Sequence, residues 1–478
     1  MGTRAGTARQ RSCAVHAGRR VGVAVLKRRT LLAAAPLSSL LAGCGVVGRP
    51  ASAPGAPKLQ ASPVAGLSAQ EFQWARTAWR YVENNTDFET GLVGGLDRSV
   101  AFTAANAGDA LAAILAAHEL KVIDAHEFDL RSSRLLGFLA TMDLSQGQLP
   151  NKAYSAATRK MIGFDGRPAD IGWSATDVGR LLLWLRIVGQ RHARFQEYVD
   201  KVVVRWTFCK AIDDCGKLTG SGVDGAGHLY TYPEGRLGDE QLAAAGYAAW
   251  GFDTRASSAL PALAAVNMEG LALRYDARDP RTSGAQAPVL TMPYVLTGVE
   301  LGWGDRMAPL RELAQQVHQV QEGRWRREKQ LTARTAYQLT EAPYVVLDSV
   351  YASGYPWNTI GTDGKEHEKL AQVSTKAAFG LWALWPGEYT AALLENVRHL
   401  YDVDRGWYEG RFEQGGAPNT TISLTTNAQV LEMLLFKATG GPLLPKVQRA
   451  GFFDVATQDR FNRQGRCWPA ERAACKPG

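Results

Sequence analysis

Four acids in this chain stand where they could do chemistry, inside segments rich in aromatic residues and glycine. Glu234 lies within Tyr232-Pro233-Glu234-Gly235-Arg236, and Glu240 follows at the start of a helix signal. Glu409 and Glu413 share the run Trp407-Tyr408-Glu409-Gly410-Arg411-Phe412-Glu413. Paired carboxylates suit glycoside hydrolysis, in which one carboxylic acid protonates the leaving oxygen and a second serves as base or nucleophile. Glu234 is the candidate acid and Glu240 the candidate base, with Glu409 or Glu413 as an alternative second carboxylate from across a cleft. Each also has a purely structural reading. Glu234 and Arg236 could fix a loop as an ion pair, and the helix dipole favours an acid such as Glu240 at an N-terminus.

The residues around these acids suit sugar recognition, since aromatic faces stack on pyranose rings while amides, guanidinium groups and carboxylates bond the hydroxyls. The candidate binding residues are Asp87, Asn151, Tyr154, Trp173, Tyr232, Arg236, Trp357, Trp407, Asn419 and Asn427. Tyr232, Glu234, Trp407 and Glu413 are expected to share one hollow. Trp79, Trp184, Trp206 and Trp250 fall within helical stretches and are expected in the core. Asp87 and Asp97 lack the twelve-residue calcium-loop pattern. No P-loop, GxGxxG, GxSxG or HExxH occurs with the right flanks, so neither a metal nor a cofactor is expected.

Positioning such loops falls to a succession of helices. Ser68-Ala69-Gln70-Glu71 reads as a capping box, followed by Phe72, Ala75, Trp79 and Val82 at helical spacing. Ser174-Ala175-Thr176-Asp177 caps an apolar run from Leu181 to Leu185. Further helices are predicted near 104–118, 124–142, 238–251, 306–328, 374–385, 386–402 and 424–438, with strand-like pieces around Val266–Tyr275 and Tyr344–Tyr351. Helices apolar on nearly all sides, alternating with amphipathic ones, imply an inner ring within an outer one. The predicted fold is mainly α, an α/α toroid of about six helical hairpins with short β pieces in its loops. A solenoid is disfavoured because no repeat period is found.

The ends of the chain speak about location. Lys27-Arg28-Arg29 precedes an uncharged apolar run, Thr30 to Gly43, that ends at Leu41-Ala42-Gly43-Cys44. This is the layout of an export signal, with Cys44 as the lipidated first residue of the mature protein, and Arg28-Arg29 is similar to a twin-arginine signal. The net charge of +8 equals the eight basic residues of positions 1–44, which hold no acid, so the remainder is neutral. A neutral mature chain lacks the footprint of a nucleic-acid binder, and no nucleic-acid partner is expected. Residues 45–67 read as a Pro/Ala/Gly-rich tether, 68–445 as one domain and 446–478 as a tail. Cys467 and Cys475 are expected to form a disulfide pinning that tail, while Cys209 and Cys215 read as a second short-loop disulfide or as free thiols. The expected location is the cell envelope, lipid-anchored, on the outer membrane facing the periplasm.

Three phrases carry a family resemblance: GWSATDVGRLLLWL, EGRLGDEQLAAAGYAAWGFD and WYEGRFEQGGAPNTTISLTTNAQVLEMLLFKATG. They resemble the bacterial domain-of-unknown-function 3131 family over nearly all of residues 70–441. The resemblance implies a glucoamylase-like toroid of six hairpins and an association with exopolysaccharide or glucan loci, hence a polysaccharide or oligosaccharide partner and the machinery that makes or exports it. Three positions depart from the family pattern. Ala105-Asn106 stands where Trp-Asp opens the first inner helix, Thr291-Met292 replaces Ser-Glu, and Ala336-Tyr337 replaces an acidic pair. Two functions therefore remain open: a lipid-anchored glycoside hydrolase, or a non-catalytic glycan-binding or assembly lipoprotein.

Overall fold

Local side-chain chemistry starts most of the helices. In the computed structural model, which describes residues 62–279, 287–362, 364–458 and 465–475, helix α1 (Ala69–Asn85) opens with the predicted capping box. Ser68 Oγ accepts from the Glu71 amide at 3.2 Å, and Glu71 Oε2 accepts from the Ser68 amide at 2.7 Å. Such bonds satisfy donors that a first helical turn leaves without partners. Thr103, Asp124 and Ser174 cap α2 (Ala104–Glu119), α3 (Ala125–Thr141) and α4 (Ala175–Arg191), each side chain accepting from the amide three residues on. Next come α5 (Gln196–Val203), α6 (Asp239–Ala248), α7 (Met292–Leu296), α8 (Ala308–Glu328), α9 (Thr375–Leu384), α10 (Glu388–Val397), α11 (Leu424–Thr439) and α12 (Phe452–Gln458). The export signal with Cys44, and the tether as far as residue 61, lie outside the described residues. Among those described, no helix is long and apolar enough to cross a membrane.

Helices α2, α4, α6, α7, α9 and α11 each pack against the next, and α11 returns to α2, so the six close into a ring. Their composition explains the placement. In α2 and α4 nearly every residue is buried, as a helix walled by neighbours on all sides requires. By contrast α8 buries one stripe, Leu310, Leu313, Ala314, Val317, Val320 and Gln321. Outside the ring, α1 lies on α11, α3 on α2, α5 on α4, α8 on α7 and α10 on α9. Among the described residues, the place after α6 has a short helical turn, Arg255–Ser258, in place of a full outer helix.

The longer antiparallel hairpins of the loops are β1 (Thr219–Val223) with β2 (Leu229–Pro233), β3 (Leu263–Met268) with β4 (Leu271–Asp276), and β5 (Gly406–Phe412) with β6 (Pro418–Ile422). The chain leaves ring helices by short links, 120–124 after α2 and 385–387 after α9. It enters them through long segments: 86–103, 142–174, 204–238, 249–291, 329–374 and 398–423. One end of the ring therefore collects the long loops. The Gly95 carbonyl accepts from the Leu424 amide at 2.9 Å, and that of Ala333 from Ser374 at 3.0 Å, so neighbouring entry segments bond each other there. The tightest ring contact is α4 on α6. A Cβ at Gly246 would stand 1.8 Å from the Gly179 carbonyl oxygen, so only glycine lets these helices meet so closely.

The tail corrects the expected disulfide. Cys467 does not pair with Cys475, nor Cys209 with Cys215; the bonds join Cys209 to Cys467 and Cys215 to Cys475. Proximity in sequence fails here because the tail lies along the loop after α5. Arg472 donates to the carbonyls of Ile212 and Phe208 at 2.7 and 3.0 Å, which sets each tail cysteine opposite a loop cysteine. The described part of the tail packs on the ring. Phe453 is buried against Trp250, and Asp454 meets Arg186 at 3.0 Å. Peptide mapping without reduction should recover linked peptides 209–467 and 215–475, and reduction should cost about 2–5 kcal/mol of stability. A 467–475 cross-link in that map would contradict this placement of the tail.

Candidate active site

The N-terminus of α4 is capped from within and from outside. Ser174 Oγ accepts from the Asp177 amide at 3.1 Å and donates to Glu234 Oε1 at 2.8 Å. Glu234 also accepts from the Ala175 amide at 2.5 Å and from Thr176 Oγ1 at 3.2 Å. A carboxylate at this end of a helix takes up free amide donors and meets the positive end of the dipole. Hairpin β1–β2 delivers it, since Glu234 directly follows β2. Asp177 occupies the first turn of α4 and Asp239 the first position of α6. The α4–α6 contact thus sets three carboxylates around one cavity of about 460 Å³, which Arg180, Tyr232 and Arg236 also line.

The electrostatics separate these acids. Burial raises the Asp177 pKa to about 7, reinforced by the charge of Glu234 and, further off, by Asp109 and Asp239; the Ser174 hydrogen bond opposes them. Burial likewise lifts Asp239, but Arg236 and Arg180 restrain it to about 6. Asp177 therefore keeps its proton over a range where Asp239 is already losing its own.

Beneath the cavity lies an ion cluster on Arg180. Its guanidinium donates to Asp109 of α2 at 2.5 Å, to Glu300 at 3.0 Å and to Glu432 of α11 at 2.9 Å. Trp184 Nε1 also donates to Glu300 at 2.9 Å, and Thr425 Oγ1 to Asp109 at 2.7 Å. Three carboxylates exceed what one guanidinium can neutralise. Burial raises the Glu432 pKa well above the ordinary carboxyl range; Arg180 opposes that rise, and Glu300 and Asp109 add to it. Burial and the neighbouring carboxylates thereby favour the protonated form of Glu432.

The predicted residues divide sharply. Glu234, Tyr232 and Arg236 meet at this cavity. Glu240, six residues beyond Glu234, does not line this cavity; it accepts from Ser257 Oγ at 2.9 Å, pairs with Arg278 at 3.0 Å, and shares with Glu234 a smaller cavity of about 230 Å³. Glu409 is fully buried, paired with Lys376 at 3.2 Å and bonded by Ser423 Oγ. Glu413 pairs with Arg334 at 2.7 Å and Arg324 at 3.2 Å, and with Trp357 it lines a different cavity of about 540 Å³. The single hollow expected for Tyr232, Glu234, Trp407 and Glu413 is therefore not formed.

Several aromatic and amide candidates hold the loops together. Trp173 is buried with Nε1 on the Thr219 carbonyl at 3.1 Å, and Trp407 is buried with Nε1 on that of Trp74 at 3.2 Å. Neither offers a face to a sugar. Asn151 accepts from the Ile171 amide at 2.8 Å, and Tyr154 donates to the Asp143 carbonyl at 2.8 Å. Asn419 bonds Gln372 at 3.0 Å, and Asn427 accepts from the Trp407 amide at 2.8 Å. Asp87 closes a turn by accepting from the Thr90 amide at 2.8 Å. Trp357 lies under Arg324, 4.6 Å from the ring centre. The predicted core tryptophans Trp79, Trp184, Trp206 and Trp250 are indeed buried.

Sequence reading missed Asp177, Asp239 and Arg180 as site residues. Asp177 had been read only as part of a cap. Its signal was present all the same: an acid at the entry of an otherwise apolar helix that carries an arginine one turn on.

A closed ring of six helices with further helices packed outside it is an α/α toroid. Within that class the chain belongs to the family described as protein of unknown function DUF3131, whose model matches residues 73–440. No curated protein sequence matches it. The fold is similar to that of a protein from Bacteroides caccae provisionally described as a glucoamylase, with TM-score 0.55 and 15% identity over 79% of this chain and 94% of the other. It is also similar to the endo-β-1,2-glucanase of Chitinophaga pinensis in complex with sophorotriose and glucose, with TM-score 0.54 and 14% identity over 79% and 94%. A β-1,2-glucanase from Parabacteroides distasonis matches with TM-score 0.51 and 14% identity, over 78% of this chain and 57% of that one.

The raised Asp177 pKa makes a stability prediction whose sign is fixed. In the unfolded chain the carboxyl titrates at about 3.9, and in the folded chain at about 7. Between these values the native state binds more protons, so this group increasingly destabilises the fold as pH rises towards 7. Asp177→Asn should leave stability nearly unchanged at pH 4 and raise it at pH 8, by a few kcal/mol at most. Urea unfolding at both pH values measures this, and an equal effect at the two would contradict the assignment.

Proposed function

We propose that this chain is a glycoside hydrolase acting on a polysaccharide, with Asp177 as proton donor and Asp239 as the second carboxylate. One observation carries the reading: burial and the charge of Glu234 hold the Asp177 pKa near 7, in a cavity shared with a second acid whose pKa is lower. Asp177 gives its proton to the glycosidic oxygen as the bond to the anomeric carbon breaks. Water supplies the hydroxyl to that carbon and restores the proton balance through the carboxylates. Glu234, held by the cap of α4, is a positioning residue that keeps Asp177 protonated.

The similarity in fold to two β-1,2-glucanases makes a β-1,2-glucan the first substrate to try, alongside β-1,3-, β-1,4- and α-1,4-glucans. Release of reducing ends is expected over a narrow pH range, falling below about 6 and above about 7 as Asp239 gains and Asp177 loses its proton. Asp177→Asn and Asp239→Asn should each lower kcat/KM by about 10²–10⁴. Glu234→Gln should move the alkaline limb to lower pH. Turnover unaffected by both Asp variants would refute the assignment.

The alternative, a glycan-binding protein without hydrolysis, draws on Asn106. This residue stands where the family resemblance expects an acid, and it is spent on the cap of α2, accepting from the Thr103 amide at 3.1 Å. Retention on a glucan without product release would favour it.

The reading extends to location. We propose an envelope lipoprotein anchored through Cys44 and working beside machinery that makes or exports a polysaccharide. The supporting observation is the Lys27–Cys44 layout. Labelled palmitate should enter the protein and be lost in Cys44→Ser, and a wild type that takes up no label would overturn the anchor.

A further inference from the structure

Hairpin β1–β2 sets a glycine opposite a tyrosine twice over. Gly220 pairs with Tyr232 and Gly222 with Tyr230, so all four residues share one face of the ribbon. The other face of β1 is bolted down. Ser221 Oγ accepts from the Trp173 amide at 2.9 Å, the Ser221 amide donates to the Trp173 carbonyl at 2.9 Å, and Lys152 Nζ donates to the Ser221 carbonyl at 2.7 Å. The glycine–tyrosine face turns towards the acid cavity at its Tyr232 end and towards solvent at its Tyr230 end.

On that face the rings lie down across the glycines. A Cβ at Gly222 would stand 2.4 Å from Tyr230 Cζ and Oη, and one at Gly220 would stand 2.8 Å from Tyr232 Cε2 and 2.6 Å from Glu234 Oε2. Each tyrosine thus lies across a strip of bare backbone, and Lys152 Nζ stands over the Tyr232 ring, 5.5 Å from its centre. Tyr230 is 56% exposed, so its ring is open to solvent. The ring centroids are 6.3 Å apart with planes inclined at 42°. Tyr232 lines the acid cavity and Tyr230 lies further out along the strand.

We propose that Tyr230 and Tyr232 form a two-ring platform for successive sugar units of a chain that runs out of the acid cavity, so the ligand is a polysaccharide rather than a disaccharide. The proposal rests on the glycan-binding part of the reading above and deepens it by naming chain length. Ring stacking on pyranose faces needs the flat, one-sided presentation that the two glycines create. The tilt between the rings suits a chain that bends from unit to unit. The platform touches Glu234 at its inner end, which ties the sugar nearest the cavity to the acids.

The test compares long and short ligands. In affinity electrophoresis and calorimetry with β-1,2-, β-1,3-, β-1,4- and α-1,4-glucans, Tyr230→Ala should weaken binding of the retained polymer about three- to tenfold. Binding of the matching disaccharide should stay unchanged, and Tyr230→Phe should bind like the wild type. Gly222→Ala supplies an independent arm, because its added methyl pushes the ring end aside without removing the ring, and it should reproduce the selective loss. Measuring these effects in the Asp177→Asn background keeps binding apart from cleavage. Selective loss of polymer without any hydrolysis by the parent protein supports the platform while the enzyme reading fails. Equal loss for polymer and disaccharide, no loss for either, or a parent protein that binds none of these glucans overturns the platform.

Discussion

Arg180 sits among the ring helices with its guanidinium bonded to carboxylates from α2, α11 and the turn that ends α7. Each of these acids is almost entirely buried, and a buried charge without a partner is costly enough to unfold a domain. Four of the six ring helices therefore depend on one side chain for their electrostatic balance. Because three carboxylates face one cation, the raised pKa of Glu432 favours a proton there, which lowers the excess negative charge of the cluster. The same guanidinium restrains the Asp239 pKa above it, while Asp109 pushes that of Asp177 upward. Scaffold and site are thus joined by a single network, and a change in either is felt in the other.

The geometry of the ring explains why the site lies where it does. Short links at one end and long segments at the other leave only one face with enough chain to build walls. At that face the first turns of the ring helices present free amides and positive dipole ends. Carboxylates gather there for the same reason that caps do. Glu234 is held by three donors of α4, and its charge then acts on Asp177 one turn away. Backbone electrostatics attract the acids, and their crowding differentiates them.

Much of the loop chemistry that looks functional is architectural. Trp173, Trp407, Asn151, Asn419 and Asn427 all bond loop backbone or one another, because long buried loops carry polar groups that must find partners. Glu409 and Glu413 neutralise Lys376, Arg324 and Arg334 in the same way. A sugar-binding composition and a loop-building composition draw on the same residue types. Exposure and free ring faces tell them apart, as Tyr230 illustrates.

The sequence by itself determined what depends on neighbours within a turn or two: the caps at Ser68 and Ser174, the apolar periods, the alternation of wholly and partly apolar helices, and so the toroid class. It also marked Glu234, Tyr232 and Arg236, which lie close together along the chain. Tertiary structure alone decided the disulfide partners, 258 and 260 residues apart, since bonding follows distance in space. It alone separated Glu413 from Glu234. And it alone raised the Asp177 pKa, because a pKa answers to burial and to charges from other segments, neither of which local spacing encodes.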